Sequence, residues 1–288
     1  MITRFAPSPT GPLHLGHAYS AWLAHDTARK EGGTFLLRIE DIDRTRSRDA
    51  WEQQIYDDLS WLGITWDGTP MRQSDRVSVY EDALATLWKR GLVYPCSCSR
   101  KDIAAAANAP QEGSEPVFGP DGLVYPGTCR PNRPHPVGDM PEGIALRLDL
   151  TAALQHIGSG RLGFVENGET NGSQRRNVAV TSDDLISTVG DIVLSRKDFP
   201  GSYHLSVVLD DAAQNITHVI RGKDLFDATK IHVLLQRLLG LPTPLYLHHR
   251  LIRDETGRRL AKRDDARAIA QYRKVGATPD DLRTLVGL

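Results

Sequence analysis

The segment Pro7-Ser8-Pro9-Thr10-Gly11-Pro12-Leu13-His14-Leu15-Gly16-His17 restricts the fold more than any other stretch of this chain. It follows a short predicted strand, Thr3 to Ala6, which the prolines at 7 and 9 end. It opens a predicted helix, His17 to Lys30, with apolar Ala18, Ala21, Trp22 and Ala24 at helical spacing. Gly32-Gly33 closes that helix, and Thr34-Phe35-Leu36-Leu37-Arg38-Ile39 reads as a second strand. Strand, turn, helix and strand make a βαβ unit, which predicts an α/β fold on a parallel sheet. The turn itself has the plan of an anion site. A helix N-terminus offers unpaired N–H groups and a positive dipole end. Gly11 and Gly16 allow a ligand to approach the backbone. His14 and His17 stand three apart at the helix entry, where imidazoles can donate to phosphate oxygens as charge builds in a transition state. The same spacing suits a zinc pair or a plain helix cap.

Beyond this unit, 48–62 and 77–90 are predicted helices, the second closed by Gly91. From about Tyr94 to Arg133, Pro, Gly, Ser and Ala dominate and periodicity fades, as in an insertion. Residues 143–150 alternate like a strand, and 157–182 are polar and Gly-rich. Asp191–Leu194, Tyr203–Leu209 and Ile216–Arg221 read as strands, and Lys230–Leu239 as a helix. Leu247–Ile252 is a last strand or loop before a basic C-terminal segment. The expected organisation is a nucleotide-binding core in two halves, 1–94 and 191–245. An insertion spans 95–190, and a short helical C-terminal segment spans 246–288.

Charge and cysteine content limit the partners. A formal net charge of −1 excludes a globally basic nucleic-acid binder but leaves room for a local basic face. The 288 residues, 40% of them hydrophobic, suffice for a core without disulfides. No apolar run approaches the roughly 20 residues of a membrane span, and the N-terminus lacks a signal-peptide stretch, so a cytoplasmic location is expected. The three cysteines, Cys96, Cys98 and Cys129, are an odd number. They suggest a metal first and buried apolar filler second.

The opening segment resembles the signature of class I aminoacyl-tRNA synthetases, whose "HIGH" sequence stands here as His14-Leu15-Gly16-His17. Arg4-Phe5-Ala6-Pro7-Ser8-Pro9-Thr10-Gly11 is similar to the form found in glutamyl and glutaminyl enzymes. Late in the chain, Arg259-Leu260-Ala261-Lys262-Arg263 resembles the family's "KMSKS" loop. Lys262 takes the place of the second lysine and Arg259 that of the first, while Ala261 and Arg263 depart from the two serines. The resemblance implies a class I Rossmann core that uses ATP with Mg2+ to activate a carboxylate as an adenylate. It places ATP on His14, Gly16, His17 and Lys262, with His14, His17 and Lys262 as the catalytic set.

A dicarboxylate amino acid needs two positive groups and one negative group. Arg4, Arg221 and Glu40 lie in or beside predicted strands, whose ends are where open α/β sheets bind ligands. Arg38 to Asp43, Ser202 to Asp211 and His218 to Leu225 resemble further glutamyl-type segments. That likeness implies a glutamate site of Arg4, Phe5, Ala6, Pro7, Ser8, Glu40, Tyr203 and Arg221. Glutamate is expected over glutamine, because a neutral amide would leave a buried cation poorly paired.

Cys96-Ser97-Cys98 and Tyr125-Pro126-Gly127-Thr128-Cys129 offer three thiolates and a phenol. Structural zinc takes four tetrahedral ligands, and Tyr125, Asp102, His135 or water could each be the fourth. The arrangement resembles the zinc site of the glutamyl-queuosine tRNA(Asp) synthetases, a shortened branch of the class I family. It implies one structural zinc on Cys96, Cys98, Tyr125 and Cys129. Only Asp264 to Leu288 follow the lysine loop, so no anticodon-binding domain is expected. By this resemblance the enzyme transfers glutamate to the queuosine base in the anticodon loop of tRNA(Asp). Its expected partners are queuosine-containing tRNA(Asp), glutamate and ATP, with no membrane, and it acts as a monomer. The competing expectations are a truncated glutamyl-tRNA synthetase charging a 3′ end, an RNA-independent glutamate ligase, and a non-catalytic zinc-bearing RNA-binding protein. Arg250 to Lys274 is the basic stretch best suited to RNA phosphates, ahead of Arg130, Arg133 and Arg175-Arg176.

Overall fold

The computed structural model describes residues 1–107, 116–131, 138–168, 175–253 and 267–288. The expected βαβ unit opens it. β1 (Ile2–Phe5) and β2 (Thr34–Ile39) pair in parallel, with Arg4 opposite Leu36, and α1 (Leu15–Lys30) crosses between them. Ala18, Ala21, Ala24 and Ala28 keep the buried face of α1 small, and the Thr3 hydroxyl donates to the Ala24 carbonyl at 2.8 Å. The return into β2 requires Gly33, where a Cβ would stand 2.3 Å from the Met1 carbonyl oxygen. α2 (Asp49–Trp61) follows, β3 (Met71–Arg72) extends the sheet beside β2, and α3 (Val77–Lys89) leads away.

The middle of the chain adds β4 (Val93–Cys96), α4 (Arg100–Ala107), the small hairpin β5 (Phe118–Gly119) and β6 (Gly122–Leu123), and β7 (Ala145–Leu148). α5 (Leu150–Ile157), β8 (Leu162–Glu166), β9 (Arg176–Val180), α6 (Ser182–Thr188) and β10 (Val193–Ser195) come next. The chain then runs through α7 (Tyr203–Ala213), β11 (His218–Gly222), α8 (Thr229–Leu239), β12 (Leu245–His249), α9 (Ile269–Lys274) and α10 (Pro279–Val286).

β11, β12 and β8 are parallel, and β9 closes against β8 antiparallel. The Thr217 N–H donates to the Ile2 carbonyl at 3.0 Å and seats β11 alongside β1. The C-terminal ends of β1, β2 and β11 therefore face one cleft. β4, β7 and β10 form a separate antiparallel sheet. Two apolar cores follow this division. One gathers α1, α2, β2 and the C-terminal helices around Trp22, and the other gathers α3, β4, β7, α5, β8, α7 and α8.

Three local expectations are corrected. Tyr203–Leu209, read as a strand, is the start of α7, capped by the Ser202 hydroxyl at Leu205 N–H. His204 to Val208 are all buried, so the run shows neither a period of two nor one of 3.6, and β-branched Val207-Val208 favours the wrong choice. Packing against α3 and α8 decides for helix. Residues 157–182, read as irregular, hold the β8–β9 hairpin, where Leu162, Phe164 and Glu166 alternate inward. The strand expected up to Leu150 stops at Leu148, because Asp149 caps α5 by accepting from Ala152 N–H at 3.0 Å. Among the described residues no helix is long and apolar enough to cross a membrane.

Asp210, fully buried on α7, accepts from Gln73 Nε2 at 2.8 Å, Arg76 Nε at 2.6 Å and the Tyr80 hydroxyl at 2.9 Å. Removing one partner of a buried ion pair costs about 3 kcal/mol or more. Asp210→Ala is expected to lower the unfolding free energy by about that amount in urea titration. A loss below about 1 kcal/mol, the worth of a single exposed pair, would contradict this account.

Candidate active site

Histidines close the N-terminus of α1. Nδ1 of His14 accepts from Gly16 N–H at 3.1 Å, and Nδ1 of His17 accepts from His14 N–H at 3.2 Å. The two rings lie 3.8 Å apart. With both Nδ1 atoms accepting, a neutral ring carries its proton on Nε2. The capping and phosphate-binding readings of this pair are therefore compatible, since the caps fix the tautomer whose Nε2–H can donate to an anion.

The chain on either side of the lysine segment is anchored beside them. Leu251 and Ile252 line the cleft, and Ile269 N–H donates to the Leu13 carbonyl at 2.9 Å next to a His14–Ala268 bridge. Lys262, with Arg259, Ala261 and Arg263, lies outside the described residues.

The cleft, about 350 Å³, is walled by Arg4, Phe5, Ala6, Pro7 and Ser8 at the end of β1, by His14, Gly16 and His17 of α1, by Glu40 after β2, by Tyr203 of α7 and by Arg221 of β11. Every described residue singled out for ATP or glutamate meets there. The loop after β1 is held to β2 by Glu40 N–H donating to the Pro7 carbonyl at 3.0 Å.

The two arginines expected to face carboxylates are held differently. Arg4 Nε donates to Asp211 Oδ1 at 3.0 Å, and Arg38 Nη1 donates to the same oxygen at 2.7 Å. Arg38 Nη2 reaches Glu40 Oε1 at 3.4 Å. Burial would raise the Asp211 carboxyl, but Arg4 and Arg38 outweigh it and hold the group below its ordinary value. Burial does raise the Glu40 carboxyl, against the pull of Arg38 and Arg4. An ammonium arriving beside Glu40 would favour its ionised form. Arg221, 5% exposed, has only neutral acceptors: His248 Nε2, His232 Nδ1, the Thr229 hydroxyl and the Leu225 carbonyl. Among the described residues no carboxylate pairs with it directly. Asp211, Arg38, His232 and His248 were missed from sequence. A buried arginine in the apolar strand Thr34–Ile39 was the available signal for an internal counter-ion.

The cysteines converge as a second site. The three Sγ atoms lie within 4.8 Å of one another, Cys98 and Cys129 at 3.4 Å. The Tyr125 hydroxyl stands 3.5 Å from both Cys96 and Cys98 Sγ, and Cys129 N–H donates to it at 2.7 Å. A tetrahedral ion at Zn–S distances of about 2.3 Å separates its sulfurs by about 3.8 Å, so this set can hold a metal ion. Of the fourth-ligand candidates, the Tyr125 phenol stands beside these sulfurs. Asp102 instead accepts from Ser99 N–H at 2.7 Å, and His135 lies outside the described residues. Burial, then the three thiols, push the Tyr125 phenol up. Arg147 donates to Cys96 Sγ at 3.3 Å, and its guanidinium lies 3.9 Å from the centre of the Tyr125 ring.

Several basic residues proposed for RNA are occupied within the protein. Arg130 pairs with Asp191 at 2.7 Å, Arg250 donates to the Val286 carbonyl, and Arg267 lies over the Tyr272 ring. Arg133 and 254–266 lie outside the described residues.

The model of the family "tRNA synthetases class I (E and Q), catalytic domain" matches residues 1–116 and 168–288. A Rhodobacter capsulatus protein described as a glutamyl-Q tRNA(Asp) synthetase is 60% identical over 290 residues, covering 100% of both chains. A Geobacter sulfurreducens protein of the same description is 39% identical, over 95% of this chain and 79% of its own length. Among solved structures, a glutamate tRNA ligase from Elizabethkingia meningosepticum, in complex with its amino acid, superposes with a TM-score of 0.69 at 26% identity. The match covers 96% of this chain, which spans about half, 53%, of that longer protein. A methionyl-tRNA synthetase from Mycobacterium tuberculosis, 13% identical over 99% of this chain and 63% of its own, shares the fold with a TM-score of 0.58.

A hydrogen bond from Tyr125 brings the Cys129 thiol down to about 6. In chelator-treated protein at pH 7, iodoacetamide is expected to label Cys129 readily, and one equivalent of Zn2+ to suppress the labelling, read by peptide mass spectrometry. Equal labelling with and without the ion would remove the metal site.

Proposed function

We propose, given that the chain belongs to the class I tRNA synthetases of the glutamate and glutamine group and is therefore a ligase, that it activates L-glutamate with ATP and transfers it to the queuosine base in the anticodon loop of tRNA(Asp). The observation that carries the choice of amino acid is Arg221, a buried guanidinium on the cleft wall with neutral partners only. A substrate side-chain carboxylate is the counter-ion it requires. A glutamine amide would leave the buried guanidinium without a counter-ion, which is costly. The acceptor rests on the description carried by the full-length relatives.

In this reading Arg221 takes the side-chain carboxylate and Glu40 the ammonium. Tyr203 supplies an aromatic wall and a hydroxyl, and Arg4, Phe5, Ala6, Pro7 and Ser8 line the approach. The α-carboxylate attacks the α-phosphorus of ATP, and pyrophosphate leaves. His14, His17, the Gly16 backbone and Lys262 stabilise the charge that develops on the phosphates. Mg2+ accompanies ATP. A hydroxyl of the queuosine cyclopentene ring then attacks the carbonyl of the mixed anhydride. AMP leaves, the hydroxyl proton is released and an ester remains. Neither step needs a protein nucleophile, because positioning supplies much of the rate. Cys96, Cys98, Tyr125 and Cys129 would hold one structural zinc ion, which would tie the loop after β6 to the end of β4. In this reading the chain acts as a monomer in the cytoplasm.

ATP–pyrophosphate exchange is expected with glutamate and not with glutamine. Labelled glutamate is expected to pass to tRNA(Asp) carrying queuosine and not to the unmodified form. Equal transfer to both forms would overturn the proposed acceptor, and glutamate-dependent exchange with transfer to neither form would favour a small-molecule ligase. Arg221→Ala is expected to lower kcat/KM for glutamate by about a hundredfold, the worth of a lost charge-assisted contact.

A further inference from the structure

Arg221 is oriented by imidazoles where a carboxylate would be the ordinary partner. Its Nε donates to His248 Nε2 at 3.1 Å and its Nη1 to His232 Nδ1 at 3.1 Å. Nη2 reaches the Thr229 hydroxyl at 2.7 Å and the Leu225 carbonyl at 3.1 Å. Donor and acceptor roles then run one way along two chains. Because His232 Nδ1 accepts, its proton sits on Nε2, which faces His204 Nδ1 at 3.1 Å. His204 in turn carries its proton on Nε2, toward Asp121 Oδ1 at 3.3 Å. His248 has the opposite tautomer, with Nδ1–H facing Glu166 Oε2 at 2.7 Å.

Two carboxylates thus end the chains, Glu166 one imidazole away from the guanidinium and Asp121 two. All three histidines are buried. Burial, then Arg221, keeps the His232 imidazole well below its ordinary value, and burial lowers His248 against the pull of Glu166. A direct carboxylate would orient Arg221 and quench its charge. A neutral imidazole orients it and leaves the charge to the ligand. The second chain also leaves the cleft. Asp121 sits in the turn between β5 and β6, on the wall of a neighbouring cavity of about 800 Å³ that Tyr203, Cys96 and Cys98 also line.

We infer that His232 and His248 are positioning residues that set the affinity of the cleft for the amino acid's carboxylate, and that His204 and Asp121 act through them by fixing the His232 tautomer. This rests on the cleft being a glutamate site. It ties that site to the β5–β6 hairpin beside the cysteine cluster.

The test uses the full chain and three variants. Glutamine can accept and donate as His232 does, whereas leucine can do neither. His232→Leu is expected to raise the KM for glutamate in pyrophosphate exchange about tenfold or more, the cost of one hydrogen bond to a charged group, with the KM for ATP unchanged. His232→Gln is expected to stay within about threefold of the parent, and Asp121→Ala to raise only the glutamate KM, by less than His232→Leu does. Glutamine and leucine variants that behave alike, or KM values for both substrates that rise together, would overturn the inference. The tautomers give a second readout that needs no variant. Imidazole 15N shifts of the ligand-free protein should place protons on Nε2 of His204 and His232 and on Nδ1 of His248. A proton on His232 Nδ1 removes the relay even if glutamate supports exchange. A parent protein without glutamate-dependent exchange removes the functional reading even if the tautomers are as stated.

Discussion

Asp211 is the group on which the cleft depends. It is buried on α7, yet it accepts from arginines on two different strands, Arg4 of β1 and Arg38 of β2. A buried carboxylate is costly unless it is paired, and so is each guanidinium. The three groups therefore exclude one another's absence. Their pairing brings the ends of β1 and β2 against the C-terminal turns of α7. Tyr203 at the first turn of the same helix and Glu40 just after β2 both line the cleft. Glu40 joins the network through Arg38, while burial raises its carboxyl. Arg221 lies outside this network and has neutral partners only. Two arginines are neutralised inside the protein, while the third keeps its charge without a carboxylate partner among the described residues.

Local patterns carried the parts of this arrangement that are local. The βαβ unit was legible because a period of 3.6 between two apolar strands has few alternative readings. The histidine-capped turn was legible because its prolines and glycines limit the backbone. The cleft residues near strand ends followed from the parallel sheet. What escaped was long-range. Asp211 pairs with residues 207 and 173 positions away, so no window of sequence contains the interaction. Arg38 sits in an apolar strand with its side chain fully buried, where an outward-facing charge is the ordinary expectation. His232 and His248 fall among apolar neighbours of α8 and β12 and look like core filler. α7 was misread because burial on nearly all sides erases periodicity.

The cysteine cluster shows how geometry narrows what spacing leaves open. Spacing offered Tyr125, Asp102, His135 or water as a fourth ligand. The phenol oxygen stands against the sulfurs, while the Asp102 carboxylate is engaged at Ser99. Arg147 then places its guanidinium beside both Cys96 and Tyr125.

Asp210 and Asp211 are adjacent on α7 and point about 100° apart around its axis. One is clamped to Gln73, Arg76 and Tyr80, the other to Arg4 and Arg38. A helix gripped on one side can still roll, but one gripped from two directions cannot. α7 has thereby lost its axial degree of freedom, and Tyr203 at its first turn inherits that stiffness. A ligand pressing on the tyrosine ring would meet the torque of two ion-paired anchors at the far end of the helix. The wall of the cleft is in this sense the short arm of a lever whose fulcrum lies in the core.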